Sequence, residues 1–263
     1  MTEETTRPVQ ADCEVSAIKK LADRLYTLEI NAPELAVRAC PGQFVHIACG
    51  EGNFLRRPIS ICDVAGGSLR LVFQAKGQGT QWLSTRAPGD TLDVLGTLGN
   101  GFRLSGIGAR PVFVGGGIGV PPLLLAMKAA KAQGAEPAAI LGFRSKSMVI
   151  LEEEFRALGT VEIATDDGSY GTHGFVTSLF KQRCQDFTAV CACGPKDMLR
   201  AVAACAGEAG LPCQVSMEER MGCGIGACLV CACALKDKNG GTYYGHVCKN
   251  GPVFDAKDVV WES

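Results

Sequence analysis

Residues 111–133 read PVFVGGGIGVPPLLLAMKAAKAQ, and this stretch decides the class of the fold. Pro111-Val112-Phe113-Val114 is a short, wholly apolar run, the pattern of a strand covered on both faces. It runs straight into Gly115-Gly116-Gly117-Ile118-Gly119, and Val120-Pro121-Pro122 then opens an apolar helix over Leu123–Gln133. Prolines are tolerated in a first helical turn, whose N–H groups have no intrahelical partner. Strand, glycine turn and helix in succession make a phosphate site at the positive end of a helix. Gly115, Gly116, Gly117 and Gly119 are its candidate cradle. The spacing is not the G-x-G-x-x-G dinucleotide fingerprint, because position 122 is proline.

The stretch does not stand alone. Strand patterns recur at 138–143, 161–165 and 188–193, with helices expected at about 151–158, 175–183 and 195–209. Such alternation predicts a parallel sheet with helices on both faces. Ligands of such sheets bind at the C-terminal ends of the strands. Those ends include Cys193-Gly194-Pro195, so Cys193 and Gly194 are candidate lining for a nicotinamide pocket. A buried strand-end thiol without function is the equal alternative for Cys193. Asp166-Asp167-Gly168 and Gly142-Phe143-Arg144 end two other strands.

Before Pro111 the pattern differs. Short apolar-alternating runs at 9–18, 23–31, 44–48, 57–61, 69–74 and 91–95 are separated by Gly/Pro turns, and a short helix is expected from Gly77 to Ala87. This predicts an antiparallel barrel or sandwich. Arg57-Pro58-Ile59-Ser60 sets a planar guanidinium fork and a hydroxyl three residues apart in extended backbone, a pair suited to a pyrophosphate. Gly77-Gln78-Gly79-Thr80 is a second anion cradle, at a helix start.

After residue 214 comes the most distinctive chemistry. MEERMGCGIGACLVCACALKDKNGGTYYGHVC (217–248) holds Cys223, Cys228, Cys231 and Cys248. The spacing C-x4-C-x2-C with a distant fourth cysteine is that of plant-type iron–sulfur proteins, which place four thiolates around two irons and two sulfides. A structural zinc site more typically shows two C-x-x-C pairs. Gly222, Gly224 and Gly226 supply the unusual backbone angles of a loop wrapped around a cluster. Residues 236–241 read as a turn. Cys233 reads as packing, on the opposite side of the local backbone from Cys231.

Composition sets limits. The 263 residues carry a net charge of −1, 47% apolar and 20% charged residues, which fits a soluble protein and gives no basic surface for nucleic acid. No apolar run reaches membrane-spanning length. The first residues, MTEETTRP, lack a signal-peptide pattern, so the 14 cysteines are expected as free thiols and metal ligands in a reducing, cytoplasmic setting. No Ser/His/Asp set or paired catalytic carboxylates are visible, and His46, His173 and His246 sit in no recognisable substrate loop. No catalytic residue is expected. His246 is expected beside the cluster.

Arg57-Pro58-Ile59-Ser60, Gly79-Thr80, the Gly115–Gly119 turn and Cys193-Gly194-Pro195 occur in the order of the ferredoxin–NADP reductase superfamily, which the chain resembles. With the cysteine quartet, 165–171 (TDDGSYG) and 248–254 (CKNGPVF), it looks like the electron-transfer subunits of class B dihydroorotate dehydrogenase. The resemblance covers about residues 9–261. It implies a β-barrel FAD domain at 8–106, an α/β NAD domain at 107–214 and a [2Fe–2S] domain at 215–263. It implies that Arg57, Pro58, Ile59, Ser60, Val72, Phe73, Gln74, Gly79 and Thr80 hold FAD. NAD is implied as the substrate, and an FMN-containing catalytic subunit as partner, in a heterotetramer of two of each. The activity implied is electron transfer from dihydroorotate to NAD+ in pyrimidine biosynthesis. A similar subunit of another complex, such as a sulfide dehydrogenase or a hydrogenase, is the alternative.

Overall fold

The structure, a computed structural model, describes residues 8–261; the N-terminal residues weighed above for a leader, and the last two of the 215–263 segment, lie outside them. Six antiparallel strands close a barrel in the order β1 (Val9–Ala22), β2 (Leu25–Asn31), β5 (Ser68–Gln74), β4 (Arg57–Ala65), β3 (Phe44–Ile47), β6 (Thr91–Leu98). Period-2 alternation explains what fills it: Val45, Ile47, Ile59, Ile61, Leu69 and Leu71 point inward. A four-residue helix, α1 (Pro33–Ala36), has no periodic signal that could announce it. Helix α2 (Gln78–Leu83) stops short of Ala87. There Thr85 N–H bonds the Trp82 carbonyl and Arg86 N–H the Leu83 carbonyl, so the chain tightens into three-residue turns instead of continuing.

The second unit is a seven-stranded sheet in the order β10 (Thr172–His173), β9 (Thr160–Thr165), β8 (Ala138–Phe143), β7 (Pro111–Gly116), β11 (Ala189–Cys193), β12 (Cys213–Ser216), β15 (Val253–Asp255). All pairs are parallel except β12 with β15. Helices α3 (Pro121–Ala132), α4 (Glu152–Arg156), α5 (Val176–Arg183) and α6 (Lys196–Glu208) connect the strands. Asp63 of β4 pairs with Lys128 of α3, and Arg70 of β5 forms a two-pronged pair with Glu154 of α4 at 2.5 and 3.0 Å. Both pairs tie the barrel to the helical layer.

The C-terminal segment is wedged between the two units. After a loop over residues 217–231 it forms a hairpin, β13 (Ala232–Lys236) and β14 (Thr242–His246), then returns to the sheet as β15. Cys231, Cys233, Leu235, Val247 and Cys248 share one buried cluster with Phe44 and Leu98 of the barrel and with Val112 and Val190 of the sheet. The side chain of Asn100 donates to the carbonyls of Lys249 and Asn250, both at 3.0 Å. The expected position of Cys233 is corrected here. Cys231 and Cys233 are both buried in the same cluster, and Cys233 shares its strand face with buried Leu235. Cys233 therefore faces the same interior as Cys231, and burial pushes its thiol to about 11, where it stays protonated.

Candidate functional site

The barrel opens where the sequence places its polar motif. The β4–β5 register runs from Ile61↔Leu71 to Ala65↔Ser68. Arg57–Ser60 pair only with β3, and Val72–Gln74 only with β2. The two strands thus splay beyond Ile61 and Leu71, and backbone on both sides of the slot is left for another partner, since buried backbone groups need one. Arg57 and Ser60 are half-buried at this slot. Ile59 turns into the barrel core, as does Phe73, whose ring stacks on Tyr26 at 5.8 Å. Val72 faces the α/β unit instead, and Gln74 is half-buried at the strand end. The side chains of Ile59 and Phe73 are thus committed to packing, which leaves their backbone to face a ligand.

Arg57 and Gly79 meet. A Cβ on Gly79 would lie 2.6 Å from Arg57 Nε and 2.8 Å from its Cζ, so only glycine lets the guanidinium lie across the start of α2. Asn53 Oδ1 accepts from Arg57 Nη2 at 3.2 Å, and the Leu55 carbonyl accepts from Nη1. Thr80 Oγ1 accepts from the N–H groups of Lys76 and Gly77 at 3.0 and 3.1 Å, which holds the turn ahead of the helix. Arg56 points away, paired with Asp93 at 2.5 Å.

In the α/β unit the glycine turn lies where the pattern predicts. β7 ends at Gly116, a 3₁₀ turn spans Gly117–Gly119, and α3 begins at Pro121. Gly117 has φ +53, which glycine adopts at little cost. Parallel pairing sets Cys193 beside Gly115. A Cβ on Gly119 would lie 2.4 Å from the Cys193 carbonyl oxygen, and one on Gly194 3.1 Å from the Gly116 nitrogen. The two strand ends therefore form one continuous floor. Burial pushes the Cys193 thiol to about 12, with Ser216 opposing and Glu218 adding to the shift, so it stays protonated.

The cysteine loop presents two pairs. Cys223 and Cys228 lie together, as do Cys231 and Cys248. Burial works against the Cys223 thiolate, but the N–H groups of Ile225, Cys228 and Ala227 outweigh it and lower its pKa to about 6. The N–H groups of Ala227 and Cys228 reach Cys223 Sγ at 3.2 and 3.4 Å, and Gly226 N–H reaches Cys248 Sγ at 3.1 Å. Burial and neighbouring Cys231 push the Cys248 thiol up to about 12. Metal binding requires the ligand thiols as thiolates. No three His, Cys, Asp or Glu side chains converge on one point among the described residues. Two cysteine pairs with inward N–H donors fit a two-iron, two-sulfide cluster, which takes two thiolates per iron.

A cleft of about 560 Å³ lies where the barrel, the sheet end and the approach to the cysteine loop meet; of the candidate residues it takes in Arg57, Pro58 and Gly194, while the quartet and the Gly115–Gly119 turn lie outside its walls. Its walls are Leu55–Pro58 of the barrel, Gly194–Lys196 of the sheet end and Met217–Met221, the approach to the cysteine loop. Residues 217–221 carry no motif, so sequence reading could not assign them to the cleft. A second depression, about 510 Å³, lies outside this junction against Lys146, Glu152 and Tyr170, beyond the ends of β8 and β9. Sequence reading also passed over His46. It faces Gly224 of the cysteine loop, whose Cβ would lie 2.6 Å from His46 Nδ1. The one available signal was a histidine inside an otherwise apolar strand, Phe44-Val45-His46-Ile47.

Residues 218–260 match the family described as the iron–sulfur cluster binding domain of dihydroorotate dehydrogenase B. The chain is 44% identical over 252 residues to the dihydroorotate dehydrogenase B (NAD(+)) electron transfer subunit of Bacillus caldolyticus, covering 94% of this chain and 96% of that one. A chain of an NADH-dependent reduced ferredoxin–NADP oxidoreductase, studied for flavin-based electron bifurcation, superposes with a TM-score of 0.87 at 30% identity, covering 96% and 91% of the two chains. A ferredoxin NADP+ reductase from Neisseria gonorrhoeae, with bound FAD and NADP, shares the fold at a TM-score of 0.66 and 18% identity over 76% of this chain and 92% of that one. On this near full-length likeness, the chain belongs to the family of dihydroorotate dehydrogenase B (NAD(+)) electron transfer subunits.

Proposed function

We propose that this chain passes electrons from dihydroorotate oxidation, carried out at the FMN of a partner catalytic subunit, to NAD+ in pyrimidine biosynthesis. The observation that carries this reading is the cleft lined by Arg57 and Pro58 of the barrel, Gly194 of the sheet end and Met217–Met221 ahead of the cysteine quartet, which supports one path between the three units. When bound, a [2Fe–2S] cluster supplies a one-electron site, FAD exchanges one electron or two, and NAD+ takes a hydride.

The chain's own residues bind and orient. Arg57, across Gly79, supplies a fixed charged fork for the flavin pyrophosphate, and Ser60 a hydroxyl. Backbone at Pro58–Ser60 and Val72–Gln74 faces the slot; Thr80 holds the turn. Gly115, Gly116, Gly117 and Gly119 let the NAD pyrophosphate approach the start of α3. Cys193 and Gly194 floor the nicotinamide site. Cys223, Cys228, Cys231 and Cys248 hold the iron. The working units are 8–106 for FAD, 107–214 for NAD and 215–263 for the cluster, the last lending β15 to the α/β sheet. Asp166 and Asp167 at the end of β9 disfavour an extra phosphate, which supports NAD over NADP. Arg144 and Lys146, the latter with its ammonium 5.4 Å from the Tyr170 ring centre, pull the other way, and the family likeness tips the balance to NAD.

Around the cysteine loop, Leu229 is 76% and Tyr244 73% exposed, with Ile225, Val230 and Tyr243 nearby in sequence. Exposed apolar side chains of this kind mark interaction surfaces. They suit a partner docked over the cluster, in a heterotetramer of two of each chain. Among the described residues no helix is long and apolar enough to cross a membrane. The fourteen free cysteines support a cytoplasmic setting. Purified chain should show flavin and [2Fe–2S] absorption, two irons per chain, and higher kcat/KM with NADH than with NADPH. A colourless, zinc-containing chain would sink the reading. The likeness at 30% identity to the bifurcating oxidoreductase chain favours a second reading, a subunit of another flavin complex. Failure to form a complex with an FMN-containing dihydroorotate dehydrogenase subunit would favour it.

A further inference from the structure

His46 is fully buried, and its two ring nitrogens are the buried side-chain N and O atoms without a hydrogen-bond partner among the described residues. Strand alternation explains its direction. Val45 and Ile47 fill the barrel, so Phe44 and His46 point outward, to where the C-terminal segment covers the wall. Its backbone pairs with Pro58 of the flavin-slot strand β4. Its ring lies against the cysteine loop: a Cβ on Gly224 would come within 2.6 Å of Nδ1 and 3.3 Å of Cε1 and Cγ. Gly224, at φ +75, is both conformationally and sterically a glycine position. The carbonyls of Arg56 and Cys223 face the ring, yet neither completes a hydrogen bond.

A buried imidazole that packing alone required would be replaced at no loss by an aliphatic side chain, because an unpaired buried polar group costs free energy. The unmet donor is aimed into the loop that carries Cys223. We propose that His46 is a positioning residue for the iron–sulfur centre: its ring N–H bonds the cluster-bound Cys223–Gly224 segment, fixes it against the flavin strand and raises the reduction potential of the cluster. This rests on the assignment of the cysteine quartet to a [2Fe–2S] cluster. Hydrogen bonds directed at the sulfurs, and the order of the loop around them, are among the levers that set such potentials. The imidazole then lies between the strand that holds the flavin and the loop that holds the cluster.

The test compares His46→Leu and His46→Asn with the unmodified chain as iron-loaded flavoproteins. Asparagine keeps an N–H close to the place of Nδ1; leucine removes it and leaves no unpaired polar atom. Iron and flavin content are measured first. The cluster midpoint potential is then read by redox titration followed by electron paramagnetic resonance. In His46→Leu the reduced-to-oxidised ratio at fixed potential should fall about tenfold, a shift of about 59 mV to more negative values for one electron. His46→Asn should recover most of that shift. Loss of iron in the leucine variant alone, with retention in the asparagine variant, would support the same role. An unchanged potential in His46→Leu, equal shifts in both variants, or loss of iron from both would overturn it. An unmodified chain without the cluster spectrum would remove the site itself and overturn both readings together.

Discussion

Gly119→Ala isolates the nicotinamide floor. The added Cβ would lie 2.4 Å from the Cys193 carbonyl oxygen, 2.5 Å from its carbon and 2.6 Å from Gly194 Cα. All three atoms are backbone at the end of an interior strand, paired on both sides, so no side chain can swing away. The turn must lift off the strand end. Overpacking of this kind costs about 1–3 kcal/mol. If binding NADH requires the turn to return, the full strain is charged against binding, and at about 1.4 kcal/mol per decade KM should rise about 5- to 150-fold. Gly117→Ala is the comparison, since its Cβ meets nothing within 4 Å. Its cost is backbone alone, about 1–2 kcal/mol for a left-handed alanine. The assay is NADH-dependent dye reduction by the isolated chain, with flavin and iron content as controls. An unchanged KM in Gly119→Ala at full flavin and iron content would refute the assignment of this floor to the nucleotide.

Arg57→Ala should weaken FAD retention about 10- to 150-fold, since a charge-assisted hydrogen bond contributes about 1.5–3 kcal/mol; equal FAD affinity in equilibrium dialysis would count against the slot. Cys228→Ser should lose iron and the cluster's visible bands while NADH-to-dye activity at the flavin survives. Full iron in that variant would remove Cys228 from the ligand set.

Much of the fold was legible because its signals are local. The quartet spacing, the glycine turn after an apolar strand, and the period-2 runs before residue 98 each fall within a short window. What was not legible depends on distant partners. β12 and β15 are four and three residues long and exist because β11 and β12 offer edges to pair with. The turn of the hairpin β13–β14 was legible at 236–241, but the strand character of 232–235 hides beneath the cysteine pattern, whose spacing invites a loop reading; hence the wrong side for Cys233. The Arg57-x-x-Ser60 pair was visible, but the slot it borders comes from a register break between β4 and β5 that no single strand encodes. His46 looked like a stray polar residue until the chain returned Gly224 to its face.

The division of labour between this chain and a partner is tested most directly by a dihydroorotate–NAD+ assay on the purified chain, first alone and then with an FMN-containing dihydroorotate dehydrogenase catalytic subunit. General-base removal of a proton from a carbon acid needs a side chain of suitable pKa within reach of the substrate, a role that the proposed division gives to the partner. The chain alone should reduce dyes with NADH and leave dihydroorotate unchanged, and the reconstituted complex should reduce NAD+ with dihydroorotate only when all four cluster cysteines are present. Conversion of dihydroorotate to orotate by the chain shown free of the FMN subunit would contradict it.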